Sequence, residues 1–317
     1  YFSRSKGHEV WDLDGNKYID LCAMGVGTNI LGYANKDVDK AVTNSIKMSN
    51  MSTFNSPHEV RLAENLLSIN KWADKVKFTR SGGESSALAV RLSRALNPNK
   101  NIAICGYHGW HDWYLSLQLN KEKNLKKFLF PKIQIKGVPK NLKGTCYSFI
   151  YNDFNSFKKL VLNKNIGIVQ MEVKRNLEPE DNFLYKVNNF CKNNNIILIL
   201  DECTSGFMET FGGIYSKYKL DPDLLILGKA LGNGYAIGAV LGKKNIMDQI
   251  DNTFISSTFW SEQIGYVAAN KTLEIMKKQK TWVEISKIGD LIVKNWIKLS
   301  KKHKLNLEVY GLRSLPT

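Results

Sequence analysis

The sequence predicts an α/β fold: a mostly parallel sheet with helices on both faces, and a smaller α+β part attached to it. Three observations carry this expectation. Six short apolar runs, each bounded by polar residues or glycine, read as strands over 76–79, 101–105, 166–172, 196–201, 224–227 and 237–241. Stretches with helical spacing fall among them, over 58–70, 84–96 and 262–277, and in the second Leu88, Leu92, Ala95 and Leu96 share one face. Runs that are apolar throughout, rather than alternating, belong to strands buried on both faces of a parallel sheet.

The chain has 317 residues, 43% hydrophobic and 23% charged. A chain of this length buries a full core without disulfide or metal staples, so collagen-like, disordered and mini-protein classes are excluded. No apolar run approaches the roughly 18 residues of a spanning helix. The longest compact one, Ile196 to Leu200, suits a buried strand, so no membrane partner is expected. The cysteines, Cys22, Cys105, Cys146, Cys191 and Cys203, are odd in number and scattered, with no C-x-x-C pair. They predict neither a zinc site nor a disulfide framework and point to a reducing, cytoplasmic setting. The net charge of +16 comes from lysines spread in short groups such as 121–127 and 301–304. These read as solvated helix faces rather than a nucleic-acid footprint.

Along the chain, residues 9–20 alternate around Asp14-Gly15-Asn16, a tight turn that predicts a β-hairpin. At the other end, Leu305 to Tyr310 reads as the start of a strand. With no Met before Tyr1 and no closing element after that strand, the chain is expected to be a fragment.

In a doubly covered parallel sheet, ligands sit at the carboxyl ends of the strands. After the run ending at Thr79 comes Arg80-Ser-Gly-Gly-Glu84, where Ser81 and Glu84 fit a capping box and Gly82 and Gly83 leave helix amides open to an anion. An ordinary capped helix is the alternative. No Walker A loop and no G-x-G-x-x-G occurs. After Cys105, the cluster from Tyr107 to Tyr114 offers rings for stacking on a flat ligand, with Tyr107 best placed; His108 and His111 lack the neighbours of a complete metal set. Asp201 ends a wholly apolar strand, where a carboxylate requires a cationic or donating partner. Lys229 follows another apolar strand, where partial burial favours a nucleophilic amine. Asp201 and Lys229 could also be a structural ion pair. Taken together, these features describe a ligand with a phosphate, a flat ring, a basic ring nitrogen and an aldehyde: pyridoxal 5′-phosphate.

From about Gly7 to Thr317 the sequence resembles the class III, fold-type I pyridoxal-phosphate-dependent aminotransferases, most of all the glutamate-1-semialdehyde 2,1-aminomutase group and its aminotransferase relatives. The resemblance is strongest between Asp201 and Lys229. It implies that Lys229 and Asp201 are catalytic, Lys229 as the Schiff-base lysine and Asp201 as the residue that keeps the ring nitrogen protonated. It places Gly82 and Gly83 at the phosphate, Tyr107 on one ring face, Cys203 on the other, and His108 with the cofactor-binding residues. Thr258 matches the threonine that reaches the phosphate of a neighbouring subunit, which implies a homodimer with shared active sites. The implied activity is amino transfer from an amino donor to a carbonyl acceptor, with aminomutation as the alternative and nucleic-acid binding as a remote one. The implied organisation is an N-terminal segment over 1–55 that joins the small domain and the dimer interface, a large cofactor-binding domain over 56–300, and the start of the C-terminal small domain over 301–317.

Three positions depart from the aminomutase pattern. Met24-Gly-Val-Gly-Thr28 replaces a Trp-containing segment, Glu172-Val173 replaces Glu-Pro and is followed by Lys174-Arg175-Asn176, and Gly83 stands where a threonine or serine is usual. They leave the expected cofactor site intact and bear on the substrate.

Overall fold

The structure, a computed structural model, describes residues 1–21, 23–120 and 134–317. Cys22 and the lysine group at 121–127 lie outside the described residues. At the N-terminus β1 (Phe2–Lys6), β2 (Glu9–Asp12) and β3 (Lys17–Ile19) form an antiparallel sheet in that order. The predicted hairpin is β2–β3. Its turn is closed by the Asp12 carboxylate, which accepts from the amides of Asp14 and Asn16 at 3.0 and 2.9 Å. A single left-handed turn, α1 (Ala23–Gly27), leads to α2 (Lys36–Met48), capped by Asn35, and α3 (Pro57–Ile69), capped by Ser56 with Pro57 at its first position.

Strand and helix then alternate as far as β8, after which two further strands and then three helices follow: β4 (Lys75–Thr79), α4 (Gly82–Leu96), β5 (Asn101–Cys105), α5 (Asp112–Leu115), β6 (Cys146–Ser148), α6 (Phe154–Asn163), β7 (Ile166–Glu172), α7 (Phe183–Asn193), β8 (Ile197–Glu202), β9 (Leu224–Leu227), β10 (Gly238–Gly242), α8 (Lys244–Met247), α9 (Ile264–Gln279) and α10 (Thr281–Lys302). The sheet has seven described strands in the order β4-β10-β9-β8-β7-β5-β6. All neighbours are parallel except β10, which runs antiparallel to both β4 and β9. The predicted fold class is therefore observed.

The period of two along each strand divides the core. On β8, Ile197 and Ile199 pack towards α4 with Ile102, Ile104, Ile168 and Ile226. Leu198 and Leu200 pack on the other face with Val169, Met171, Leu225 and Leu227. The next two residues inherit these faces, so Asp201 points to the α4 side and Glu202 to the opposite one. This alternation positions the site.

One expectation is corrected at the C-terminal end. Residues 305–310 are irregular, and the strands there are β11 (Gly311–Leu312) and β12 (Leu315–Pro316), paired only with each other. Leu305 and Leu307 are exposed, and among the described residues no sheet edge receives them. Without a partner the apolar alternation does not form a strand.

Candidate active site

Helix α4 starts where the sequence predicts. Ser81 Oγ accepts from the Glu84 amide at 3.3 Å, and Glu84 reaches back to the amide of Arg80 at 2.6 Å. The amides of Gly82 and Gly83, in the first turn, meet no acceptor among the described residues. They form an open anion-binding end with the favourable pole of the helix dipole behind it. A Cβ on Gly82 would lie 2.7 Å from Cys203 Sγ, and one on Gly228 would lie 2.8 Å from the same sulfur. Cys203 is thus held between the start of α4 and the residue before Lys229. Burial pushes its thiol up to about 12, assisted by the Asp201 charge and opposed by Lys229.

Asp201, 5% exposed, has the donating partner that its position requires. His108 Nδ1 lies 2.7 Å from Oδ2, and the Cys203 amide donates to Oδ1 at 3.0 Å. Ser86 Oγ and Gln170 Nε2 each stand 3.4 Å from Oδ2, and Gln170 Nε2 also donates to Ser86 Oγ at 3.0 Å. Lys229 is half-buried and is not ion-paired with Asp201. Its Nζ donates to Thr204 Oγ1 at 2.8 Å, and its backbone is left-handed at φ +40°. A non-glycine residue is strained in this region and is held there only by its surroundings. The following turn is fixed by Asn233, whose Oδ1 accepts from the Leu31 amide at 2.8 Å and whose Nδ2 donates to Gly32 O at 3.1 Å.

Tyr107 stands at the mouth, 39% exposed. Its ring meets Tyr114 edge-on at 6.0 Å, and its amide donates to Glu172 Oε2 at 3.2 Å. Glu172, at the end of β7, is level with Asp201. Burial and the Asp201 charge raise its carboxyl above the ordinary range, against the pull of Arg175. On the other face Glu202 accepts from the amides of Ile214 and Tyr215 at 2.6 and 2.7 Å and from Ser205 Oγ at 3.1 Å. Desolvation outweighs these bonds and pushes it up to about 7.

Gly82, Cys203, Asp201, His108 and Lys229 therefore converge, with Gly83 and Tyr107 at the rim. Thr258 does not join them within this chain. It is exposed at the start of a 3-10 turn over Thr258–Ser261, which Arg80 holds by donating to the carbonyls of Phe259, Trp260 and Glu262 at 2.8–3.0 Å. Sequence reasoning passed over Ser86, Gln170 and Thr204, and treated Glu172 only as a departure. Glu172 carried the same signal as Asp201, a carboxylate closing an apolar strand. Gln170 is a polar residue inside such a run. Thr204 carried no signal.

The chain matches the family described as aminotransferase class-III over residues 1–312. It is 34% identical over 295 residues to a 3-aminobutyryl-CoA aminotransferase of Cloacimonas acidaminovorans, covering 88% of this chain and 66% of that protein. It is 31% identical over 316 residues to a glutamate-1-semialdehyde 2,1-aminomutase of Campylobacter hominis, covering 96% and 69%. The chain thus spans about two thirds of the length of these relatives. The fold superposes on the FumI protein of Sphingopyxis sp. MTA144, solved in its PLP internal aldimine form, with a TM-score of 0.88 at 24% identity, covering 100% of this chain and 74% of that one. No helix among the described residues is long and apolar enough to cross a membrane. The chain belongs to the class-III aminotransferases, a family whose cofactor is pyridoxal 5′-phosphate.

Proposed function

We propose that this chain is the cofactor-carrying part of a pyridoxal-phosphate-dependent aminotransferase that moves an amino group from a small-molecule donor to a carbonyl acceptor. The observation that carries the reading is the placing of a half-buried amine, Lys229, and a buried carboxylate, Asp201, at the ends of the adjacent strands β9 and β8, beside the open amides of α4. The residues present fit the cofactor: two helix amides that meet no acceptor among the described residues, a carboxylate braced by an imidazole, a primary amine and an exposed ring.

Gly82 and Gly83 would hold the phosphate, Asp201 the ring nitrogen, Tyr107 and Cys203 the two ring faces, and Lys229 the carbonyl carbon through Nζ. The bound group supplies an electron sink for the charge that develops when a proton leaves the carbon bearing the substrate amine. Lys229 Nζ moves that proton as general base and then as general acid, its approach set by the left-handed backbone and by Thr204. Asp201 keeps a proton on the ring nitrogen, and His108 fixes the orientation of that carboxylate. Thr258, exposed here, would serve the partner's phosphate in a cytoplasmic homodimer.

The 31% identity to an aminomutase favours intramolecular amino transfer as a second reading. A visible absorption spectrum of the protein loaded with pyridoxal phosphate, taken against a panel of amino donors and an added keto acid, separates the two. Bleaching by a donor with amination of the keto acid supports the transaminase. A band with no transfer to any keto acid favours the aminomutase, and no band overturns both.

A further inference from the structure

Two glycines bring the loop after β5 onto the start of α4. A Cβ on Gly109, where φ is +101°, would lie 2.9 Å from the α carbon of Gly83. A Cβ on Gly83 would in turn lie 3.0 and 3.1 Å from Cε1 and Nδ1 of His111. Side chains on a helix lean towards its N-terminus, so this imidazole fills the space beside the open amides that a side chain at position 83 would take. Trp110 stacks on the ring, with centroids 5.0 Å apart and planes at 24°, and limits its rotation. The acid of the same helix turn, Glu84, is committed to Trp260 Nε1 at 2.8 Å and to the Arg80 amide at 2.6 Å.

His111 is also the N-cap residue of α5, and a ring nitrogen spent on capping would need no further account. Its side chain makes no capping bond. Nδ1 is closed off from solvent and has no hydrogen-bond partner among the described residues. A buried polar nitrogen in that state is costly unless a ligand meets it. It stands beside two more donors that meet no acceptor among the described residues, the amides of Gly82 and Gly83. An anion at the end of α4 accepts from all three. We infer that His111 is a further phosphate-binding residue, whose Nδ1–H donates to the cofactor phosphate in place of the side chain that Gly83 lacks. This rests on the aminotransferase reading and deepens it by adding to the helix amides a side-chain donor from a separate loop.

The test compares pyridoxal 5′-phosphate with pyridoxal, which lacks the phosphate, in titrations of the cofactor-free protein followed by the visible band. Two variants separate a donor from a filler. His111→Phe keeps a ring to stack on Trp110 but has no donor, whereas His111→Asn gives up the ring and keeps an N–H at about the place of Nδ1. The ratio of Kd for pyridoxal over Kd for pyridoxal phosphate should fall by about 10- to 100-fold in His111→Phe, the worth of a hydrogen bond to a charged group. His111→Ala, which removes ring and donor together, should lose as much, and His111→Asn much less. Pyridoxal alone should bind nearly as well to all three variants as to the unmodified protein. An unchanged ratio in His111→Phe or His111→Ala, or a greater loss in His111→Asn than in His111→Phe, overturns this inference and leaves the aminotransferase reading standing. If the unmodified protein forms no band with pyridoxal phosphate, both fall.

Discussion

Asp201 and His108 meet at 2.7 Å, Oδ2 to Nδ1, with both side chains withdrawn from solvent. A carboxylate so placed at the end of an apolar strand is stable only with such partners, and the same bond fixes which way the acid faces. His108→Ala removes the shortest bond to Asp201 Oδ2. It should cost about 1–3 kcal/mol of stability and weaken cofactor binding, with His108→Gln recovering part of both. Thermal melts and an absorbance titration with pyridoxal phosphate check this.

Asp201→Asn keeps the shape and removes the charge. The rate of amino transfer should drop by at least about 100-fold, because the amide no longer holds a proton on the ring nitrogen. A rate within a few-fold of the unmodified protein would remove Asp201 from the chemistry.

Cys203 lies against the α carbons of Gly82 and Gly228. Gly82→Ala should therefore destabilise by about 1–3 kcal/mol through overpacking, and adding Cys203→Ala should relieve much of that loss. Urea unfolding of the two single variants and the double variant measures the coupling.

The sequence shows most of the sheet because the apolar strands need no partner information to be recognised. The predicted runs 101–105, 166–172 and 224–227 coincide with β5, β7 and β9. The edge strand β6 is only Cys146–Ser148, too short for a periodic signal, and residues 305–310 failed as a strand because pairing is a tertiary property. In the site, Asp201 announced its need for a donor, but which donor met it depended on the loop after β5 carrying His108 past the intervening strand β7. Thr204 shows the limit, since a hydroxyl in a turn reveals nothing until the lysine beside it is placed.

Glu202 sits above its ordinary value of 4.5, at about 7, so the folded chain favours its acid form. Its contribution to stability is fully present below pH 4.5 and is lost as pH rises through 7, by about 3 kcal/mol in all. Glu202→Gln abolishes that slope. Unfolding measured at pH 4.5 and pH 8 should show the stability difference moving towards the variant by about that amount at the higher pH; a constant difference would contradict the assignment.

The proposed role of Lys229 as the lysine that carries the cofactor has a direct chemical test. Borohydride reduction of the loaded protein, followed by digestion and mass spectrometry, should find the cofactor mass on the peptide containing Lys229, and Lys229→Ala should carry none. An adduct on another lysine, or one retained in Lys229→Ala, would contradict the account.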